Sequence, residues 1–583
     1  MATNFIVLII LLLFLPSSMA ISTQQICNQT EYPSYCQNIF NSSSSAEDND
    51  IYYYGRLAVQ TSLVRSQRFV NSVQNYLQYS HNIDNNDNNS GDGPTQTLAL
   101  KGCKDFASSN VYMLDNIIAM INNTNQVLSF SQANTLQDKL TALLPNLYTC
   151  LDLLETTPTS ENIRNDLSQM IDDDVKVHMI SLTLCTEGWV SKDKKNINNN
   201  NNNGQQSPPL LSKFKLASDK ANKKAILESI LKGVKVNVDH HHHSEDDNQQ
   251  GFVIINDFVV VSKDGSWDFT SINDAINAAP SRSYNDGYFL IYVTAGVYSE
   301  YVNVGAEKTN LFLLGEGIHK TVITGNRNNA DGFSISSDGF MGANLSVVNA
   351  AGLHKEQAVA LRNTADHSTF YSCSFEGYQD TLYIHSHRQF YRDCDIYGTV
   401  DFIFGNATAI IQNSNIYVRK PLLGQSAVIT AHGRTHPTQQ SGISIHNSNI
   451  LPTTDLTTSN ARLERRRRTK AFLGRPWRDC ARVVYMQSYM DGVIDSAGWH
   501  RWDQTDFGLN DAYMGEYNNW GPGSHTEKRP KWSAFHILNT TDAQDFTVSN
   551  FIDGDSWLPQ TGVPYTDQFT IITNHGRTQP SQQ

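Results

Sequence analysis

Apolar residues recur at helical spacing in three long segments, 97–121, 131–154 and 160–184, with few prolines among them. Such segments joined by polar loops predict an antiparallel four-helix bundle over residues 21–190. The pattern then breaks. Asn198 opens an asparagine run, Ser207-Pro-Pro209 follows, and His240 to His243 sit among acidic residues, which marks 191–250 as a linker. From 251 to 583 the apolar positions come in short β-branched and aromatic runs, such as 288–293, 310–314, 321–324 and 427–430, cut by Gly, Asn and Asp. Residues 269–279 are a helical exception, placed to cap the open end of a stacked β structure.

Within the β region the runs repeat. Gln357 and Gln379 are 22 residues apart, and Asp380 and Asp401 are 21 apart. Cys373-Ser-Phe375, Cys394-Asp-Ile396 and Ser414-Asn-Ile416 follow one another at 21 and 20. A period of this size predicts the coils of a solenoid, in which residues one period apart become lateral neighbours about 4.8 Å apart. Two amides and two carboxylates would then converge on one face. Neighbouring strand residues point to opposite faces, so Gln379 and Asp380 can share that face only if a bend or bulge re-aims one of them. Paired Asp residues at coil spacing also fit a plain turn ladder with no chemistry.

The 583 residues exceed one ordinary core, and a formal net charge of −13 argues against nucleic acid as the partner. Residues 1–20 carry an apolar run ending in Ser18-Met19-Ala20 and read as a secretory signal peptide, with a signal anchor as the alternative. No later segment is long and apolar enough to span a membrane. Asn-x-Ser/Thr sites at Asn28, Asn41, Asn88, Asn122, Asn344, Asn406 and Asn539 suit a secreted glycoprotein. Eight cysteines in an oxidising compartment should pair in part, with a connectivity that spacing leaves open. His240 to His243 could hold a metal, but an isolated His run in a polar linker is more often incidental, and no zinc or serine hydrolase signature occurs. Arg465 to Arg468 read as a solvated loop or a contact for a polyanion.

Six motifs in order carry a resemblance: Gly296-Val-Tyr-Ser-Glu300, Gln357-Ala-Val-Ala-Leu-Arg362, Gly377-Tyr-Gln-Asp-Thr-Leu-Tyr383, Asp401-Phe-Ile-Phe-Gly-Asn-Ala407, Leu473-Gly-Arg-Pro-Trp477, and Gly515-Glu-Tyr517 with Gly521-Pro-Gly523. With them the chain resembles plant pectin methylesterases that bear an N-terminal inhibitor-like domain, over residues 26–565. The resemblance implies a right-handed parallel β-helix as the catalytic domain and an invertase/pectinesterase inhibitor-like helical bundle before it. It implies Cys27–Cys36 and Cys103–Cys150 disulfides and leaves Cys185 over. It makes Asp401 the nucleophile on a galacturonate methyl ester and Asp380 the general acid, then base. Gln357 and Gln379 become oxyanion donors, Arg475 the partner of Asp401, and Trp477 an aromatic face for the sugar, with Gln357, Arg475 and Trp477 touching substrate. No cofactor or metal is implied. The partners are pectin and pectinesterase inhibitor proteins, the place is the cell wall, and no membrane contact remains after signal cleavage.

The chemistry of those residues is coherent. Two adjacent carboxylates resist double ionisation, so one stays protonated while a guanidinium keeps the other charged. A carboxylate nucleophile divides ester hydrolysis into acyl-enzyme formation and breakdown. Trp477 and Trp502 also fit as core aromatics, Trp502 the more so, and Tyr383 and Phe404 read as packing residues.

Several departures from the family's pattern bear on activity. Residues 333–340 predict the loss of one short strand and of a substrate-contacting threonine. Ser414 stands where a cysteine would pair with Cys394, leaving Cys394 unpaired or joined to Cys373. Cys480 is atypical, and Trp267 replaces a glycine and predicts a strained turn. Residues 165–281 contain no arginine, so release of the esterase at a dibasic linker site is expected to be inefficient, Lys223-Lys224 being the nearest pair. The competing functional reading is a catalytically impaired protein that binds pectin or inhibits a relative.

Overall fold

In the computed structural model residues 22–41, 50–84, 93–191, 214–216, 253–281, 287–328, 331–457, 469–567 and 569 are described. The signal-peptide reading, the asparagine and histidine runs, Lys223-Lys224 and Arg465 to Arg468 all lie outside them. The chain divides into two compact units, Met1–Asn196 and Ile197–Gln583.

Four long helices build the first unit: Ile51–Asp84, Gly93–Ile121, Phe130–Thr156 and Glu161–Trp189. Each packs on two others in a ring, the first against the second and fourth, the third against the second and fourth. Their apolar stripes meet in cores such as Phe69, Leu100, Leu144 and Leu167. Ser129 starts the third helix through a capping box with Gln132. The Cys27–Cys36 bridge ties the short helices Thr23–Cys27 and Pro33–Asn41 together, and Cys103–Cys150 staples the second long helix to the third. Cys185 is free and buried. Among the described residues no helix is long and apolar enough to cross a membrane.

The second unit is a stack of coils built from three parallel sheets of 12, 8 and 7 described strands, its central coils contributing one strand to each. One coil runs Ser368–Tyr371, Ser374–Glu376, Leu382–Ile384; the next runs Arg388–Arg392, Asp395–Gly398, Ile403–Gly405. These strands pair in register with their counterparts, Phe370 on Tyr391, Phe375 on Ile396, Leu382 on Ile403. Inward residues stack in rows and close a continuous interior through Leu313, Phe370, Phe375, Ile396, Ile403 and Ile429. Burying each such side chain contributes about 1.5–3 kcal/mol. The first sheet is apolar on its outer face as well, where Val548, Ile552, Trp557 and Leu558 cover Leu290, Phe312 and Phe390. That double burial explains unbroken runs such as Tyr288–Val293. The capping helix is shorter than expected, Ile272–Ala278, and buries Ile272, Ala275 and Ile276 at the end of the interior. The Glu300 carboxylate accepts from Ile272 N at 3.0 Å and Asn273 N at 3.1 Å, which gives the first motif a structural duty.

The turn between the first and second sheets explains the repeat. Asn344, Ser372, Asp393, Asn413, Asn447, Gln487 and Asn518 all hold a left-handed φ of 48–57° there. Short polar side chains tolerate that conformation and can bond locally. They also bond along the stack: Asn413 Nδ2 donates to Asp393 Oδ1 at 2.8 Å and Asn447 Nδ2 to Asn413 Oδ1 at 2.9 Å. One residue later, Ser414, Ser448 and Ser488 form a second ladder, each hydroxyl accepting the amide N–H one coil back.

Two expectations are corrected here and one alternative is decided. No third-sheet strand is lost, since Asp331–Ile335 pairs with Asn303–Val304 on one side and Val359–Asn363 on the other. Opposite Ser414, Cys394 is unpaired as expected and not joined to Cys373, both being free and buried, and the Ser414 hydroxyl accepts from Cys394 N at 3.0 Å. Trp267 strains nothing, as the positive φ of its turn falls on Gly265 at 73°.

Candidate active site

The outer face of the third sheet carries the candidate residues. Asp380 and Asp401 each stand just before a strand of that sheet, Leu382–Ile384 and Ile403–Gly405. Regular alternation would aim both carboxyls inward with Leu382 and Ile403. It does not, because Asp380 and Asp401 adopt left-handed φ values of 60° and 49°. This is the re-aiming that the Gln379-Asp380 pair requires. Asp380 N donates to Val400 O at 3.1 Å, so the two aspartates lie on adjacent coils.

Arg475 comes from Ala471–Pro476, farther along the same sheet, and forks onto Asp401. Its Nε lies 2.9 Å from Oδ1 and its Nη2 2.5 Å from Oδ2. Burial raises the Asp401 carboxyl above its ordinary range, and the Arg475 bonds and charge, with His500, pull it back. Asp380 is raised well above that range by desolvation first and by the Asp401 charge second. Of the two, Asp401 ionises first. This division of roles is what acid and nucleophile chemistry on neighbouring carboxylates requires.

Gln379, Arg475, Gln425, Ser426, Val428 and His500 line a cavity of about 330 Å³ at this point. Gln357 is exposed on the preceding coil, next to Ala358, whose N–H donates to Gln379 O at 3.2 Å. It is not among the cavity-lining residues. An aromatic row flanks the site. Tyr383 stacks on Phe404 at 4.3 Å and Phe404 meets the Trp477 edge at 6.0 Å. Trp477 lies flat on the backbone because position 433 is glycine, where a Cβ would come within 2.8 Å of its ring. Trp502 is not core. Half-buried, it lies 4.4 Å beneath the Arg475 guanidinium.

Residues 258–555 match the family model described as Pectinesterase, and residues 22–185 match Plant invertase/pectin methylesterase inhibitor. This chain belongs to the pectinesterase family. It is an esterase of that family joined to an inhibitor-type helical unit. Among Arabidopsis thaliana proteins, probable pectinesterase/pectinesterase inhibitor 41 is 41% identical over 571 residues, 94% of this chain and 95% of that protein. Probable pectinesterase/pectinesterase inhibitor 20 is 40% identical over 94% of this chain and 93% of that protein. The solved pectin methylesterase from carrot matches with a TM-score of 0.51 and 40% identity, covering 56% of this chain and all of that one. The parallel sheets of this pectinesterase thus have a β-helical counterpart of known structure.

Sequence reasoning missed Gln425, Ser426 and His500 as cavity residues. None sits in the repeating pattern: Gln425 and Ser426 come from a connection between coils, and His500 follows Trp499, which bridges Gly474 on the coil of Arg475. One motif proves structural: buried Glu516 accepts from Trp499 Nε1 at 3.0 Å and pairs with Arg529 at 2.7 Å. Of the glycosylation sites, Asn344 and Asn406 are each only 4% exposed, too buried for a glycan, whereas Asn28, Asn122 and Asn539 are open.

Proposed function

We propose that this pectinesterase-family chain hydrolyses the methyl esters of polygalacturonate in the plant cell wall, releasing methanol and pectate. The observation that carries the reading is the Arg475 fork on Asp401 beside an Asp380 whose carboxyl burial and the Asp401 charge push well above the usual carboxylate range. Asp401, ionised, attacks the C6 carbonyl of a methylated galacturonate. The carbonyl π pair moves onto oxygen, where the side-chain amides of Gln379 and Gln357 donate to it. Preorganised donors of this kind are worth about 3–4 kcal/mol. The tetrahedral species collapses, Asp380 protonates the departing methoxide, and methanol leaves an Asp401 acyl-enzyme. Asp380, now a carboxylate, takes a proton from water as its oxygen attacks the acyl carbon. The second collapse frees the galacturonic acid, which gives its remaining proton to solvent, and restores both aspartates. Trp477 offers its face to the sugar ring.

The chain is read as secreted through its leader, with pectin as substrate and pectinesterase inhibitor proteins as further partners. The reading of an impaired pectin-binding or inhibitory protein keeps one of its two supports: Cys394 is unpaired, but the third-sheet strand supposed lost is in place. The test is methanol release from highly methylated pectin by the full chain beside its Asp401→Asn variant. Release that disappears in the variant supports the esterase. Absence of release by the folded wild type would overturn it.

A further inference from the structure

Three successive coils turn from the second sheet into the third at 377–381, at 398–402 and from 419 onwards. The first two turns carry the left-handed Asp380 and Asp401, so their backbones aim the carboxyl pair. They are also bonded to each other. Thr399 N donates to Tyr378 O at 2.9 Å, Asp380 N to Val400 O at 3.1 Å, and Thr381 Oγ1 to Tyr397 O at 2.9 Å.

Arg419 opens the third turn and reaches back to both of the others. Its own N–H donates to Gly398 O at 2.8 Å, one coil back, and its Nη1 donates to Gly377 O at 2.7 Å, two coils back. The guanidinium lies 5.0 Å from the Tyr378 ring and 5.3 Å from the Tyr397 ring, side chains next in sequence to those two carbonyls. Its Nη2 stands 3.6 Å from Glu376 Oε2, a looser contact, and Glu376 is shared with Ser374 Oγ at 3.1 Å. A guanidinium on a carbonyl makes a charge-assisted bond, roughly twice as strong as a neutral one. The side chain thus holds the turn of Asp380 while the backbone of the same residue holds the turn of Asp401. Arg419 is not among the residues that line the cavity.

Resting on the esterase reading above, we propose that Arg419 is a positioning residue, which sets the aim of Asp380 against Asp401 by holding both turns without touching substrate. The consequence is chemical. Burial raises the Asp380 carboxyl, the Asp401 charge raises it further, and Arg475 opposes both. A turn that lets Asp380 swing towards water or away from Asp401 weakens the two raising causes together. The carboxyl then ionises at lower pH, and the first step loses its proton donor there. The acid side of the pH–rate profile belongs to Asp401 and its Arg475 fork, which Arg419 leaves alone.

The test measures kcat, KM and the pH–rate profile of methanol release from highly methylated pectin. It uses the full chain and its Arg419→Met, Arg419→Lys and Glu376→Gln variants, each checked for a native thermal transition. Arg419→Met keeps the apolar stem and loses every side-chain donor. Its kcat should fall by about tenfold to 10²-fold, with KM within about twofold of wild type. Its basic limb should move to lower pH while the acid limb stays in place. Arg419→Lys restores one charged donor without the planar fork and should show smaller changes of the same kind. Glu376→Gln weakens the ion pair, leaves the Gly377 bond, and should match the wild type. A folded Met variant with the wild-type kcat and basic limb overturns the proposal. So does a loss confined to KM, which would make Arg419 a substrate contact. A Glu376→Gln variant as impaired as the Met variant overturns it too, by assigning the effect to the ion pair. Where the Met variant does not fold, the Lys variant decides on the same readings. Wild-type protein that releases no methanol defeats the esterase reading instead.

Discussion

Two turns of the β unit use the same backbone device and do different things with it. Between the first and second sheets, left-handed residues recur on coil after coil, and each polar side chain is answered by its neighbour, as Asp393 is by Asn413 and Asn413 by Asn447. At the start of the third-sheet strands the left-handed residues Asp380 and Asp401 lie one coil apart, and no amide ladder receives them. Instead Asp401 meets a guanidinium from a farther strand, and Asp380 is left desolvated beside a negative charge. The first turn is a ladder of stacking; the second is a ladder interrupted, and its carboxyl at Asp380 is raised well above the ordinary range. Spacing does not tell these apart. The partners do.

The sharpest way to break this comparison is to make one substitution at both turns. Asp401→Asn should lower methanol release by about 10⁴-fold or more, because it removes the proposed nucleophile. Asp393→Asn, isosteric and able to keep accepting from Asn413, should leave turnover within about twofold. Comparable losses in both would mean that the first turn serves chemistry too.

Asp380→Asn should cost about 10²–10⁴-fold in turnover as the proposed acid and base disappears. It should also stabilise the fold at neutral pH. A carboxyl raised in the folded state contributes stability that is full below its unfolded value of about 3.9 and is lost as pH climbs through the folded value. Denaturation at pH 7 should therefore find the Asn variant more stable than wild type, with the gap closing towards pH 4. A variant less stable at pH 7 would show that the carboxyl is satisfied after all.

Arg475→Gln removes the fork and leaves Asp401 buried. The factors that pull its carboxyl down are then mostly gone, so it ionises only at higher pH. The acid limb of the pH–rate profile should move upward, with turnover at pH 7 falling by about 10²-fold or more. Arg475→Lys restores charge without the bidentate geometry and should recover only part of both effects. An acid limb that stays in place in the Gln variant would remove Arg475 from the control of Asp401.

How much of this was legible beforehand follows the same division. The coil period, the parallel stacking and the approach of Asp380 to Asp401 are repeat properties, and the sequence carries them in Cys373, Cys394 and Ser414 as plainly as in the aspartates. His500 stands one coil beyond Arg475 but 25 residues on, outside the period of 20 to 22, and Trp502 follows it, so periodicity did not place them. Helix Ile51–Asp84 falls within the region read as helical, although its bounds were not set. Its Gly55, a helix-weakening residue, is needed because a Cβ there would come within 2.6 Å of Trp189. The supposed missing strand misled because shortened sequence was taken from the strand, whereas residues 331–335 keep their pairing.

The smallest expected effect tests the ladder itself. Asn413 donates to Asp393 and accepts from Asn447, and its φ is 57°. Asn413→Ala loses both bonds and forces a Cβ-bearing residue without a local polar partner into the left-handed region, which together should cost about 1–2 kcal/mol. Asn413→Gly loses the bonds but not the conformational tolerance, so it separates the two contributions. Chemical denaturation would read the stability and methanol release the activity. The expected outcome is lower stability in both variants, less so in the glycine one, with turnover per folded molecule unchanged. A fall in turnover would mean that the stacking ladder transmits its geometry across the coil to Asp401, and the two turns would be one coupled device.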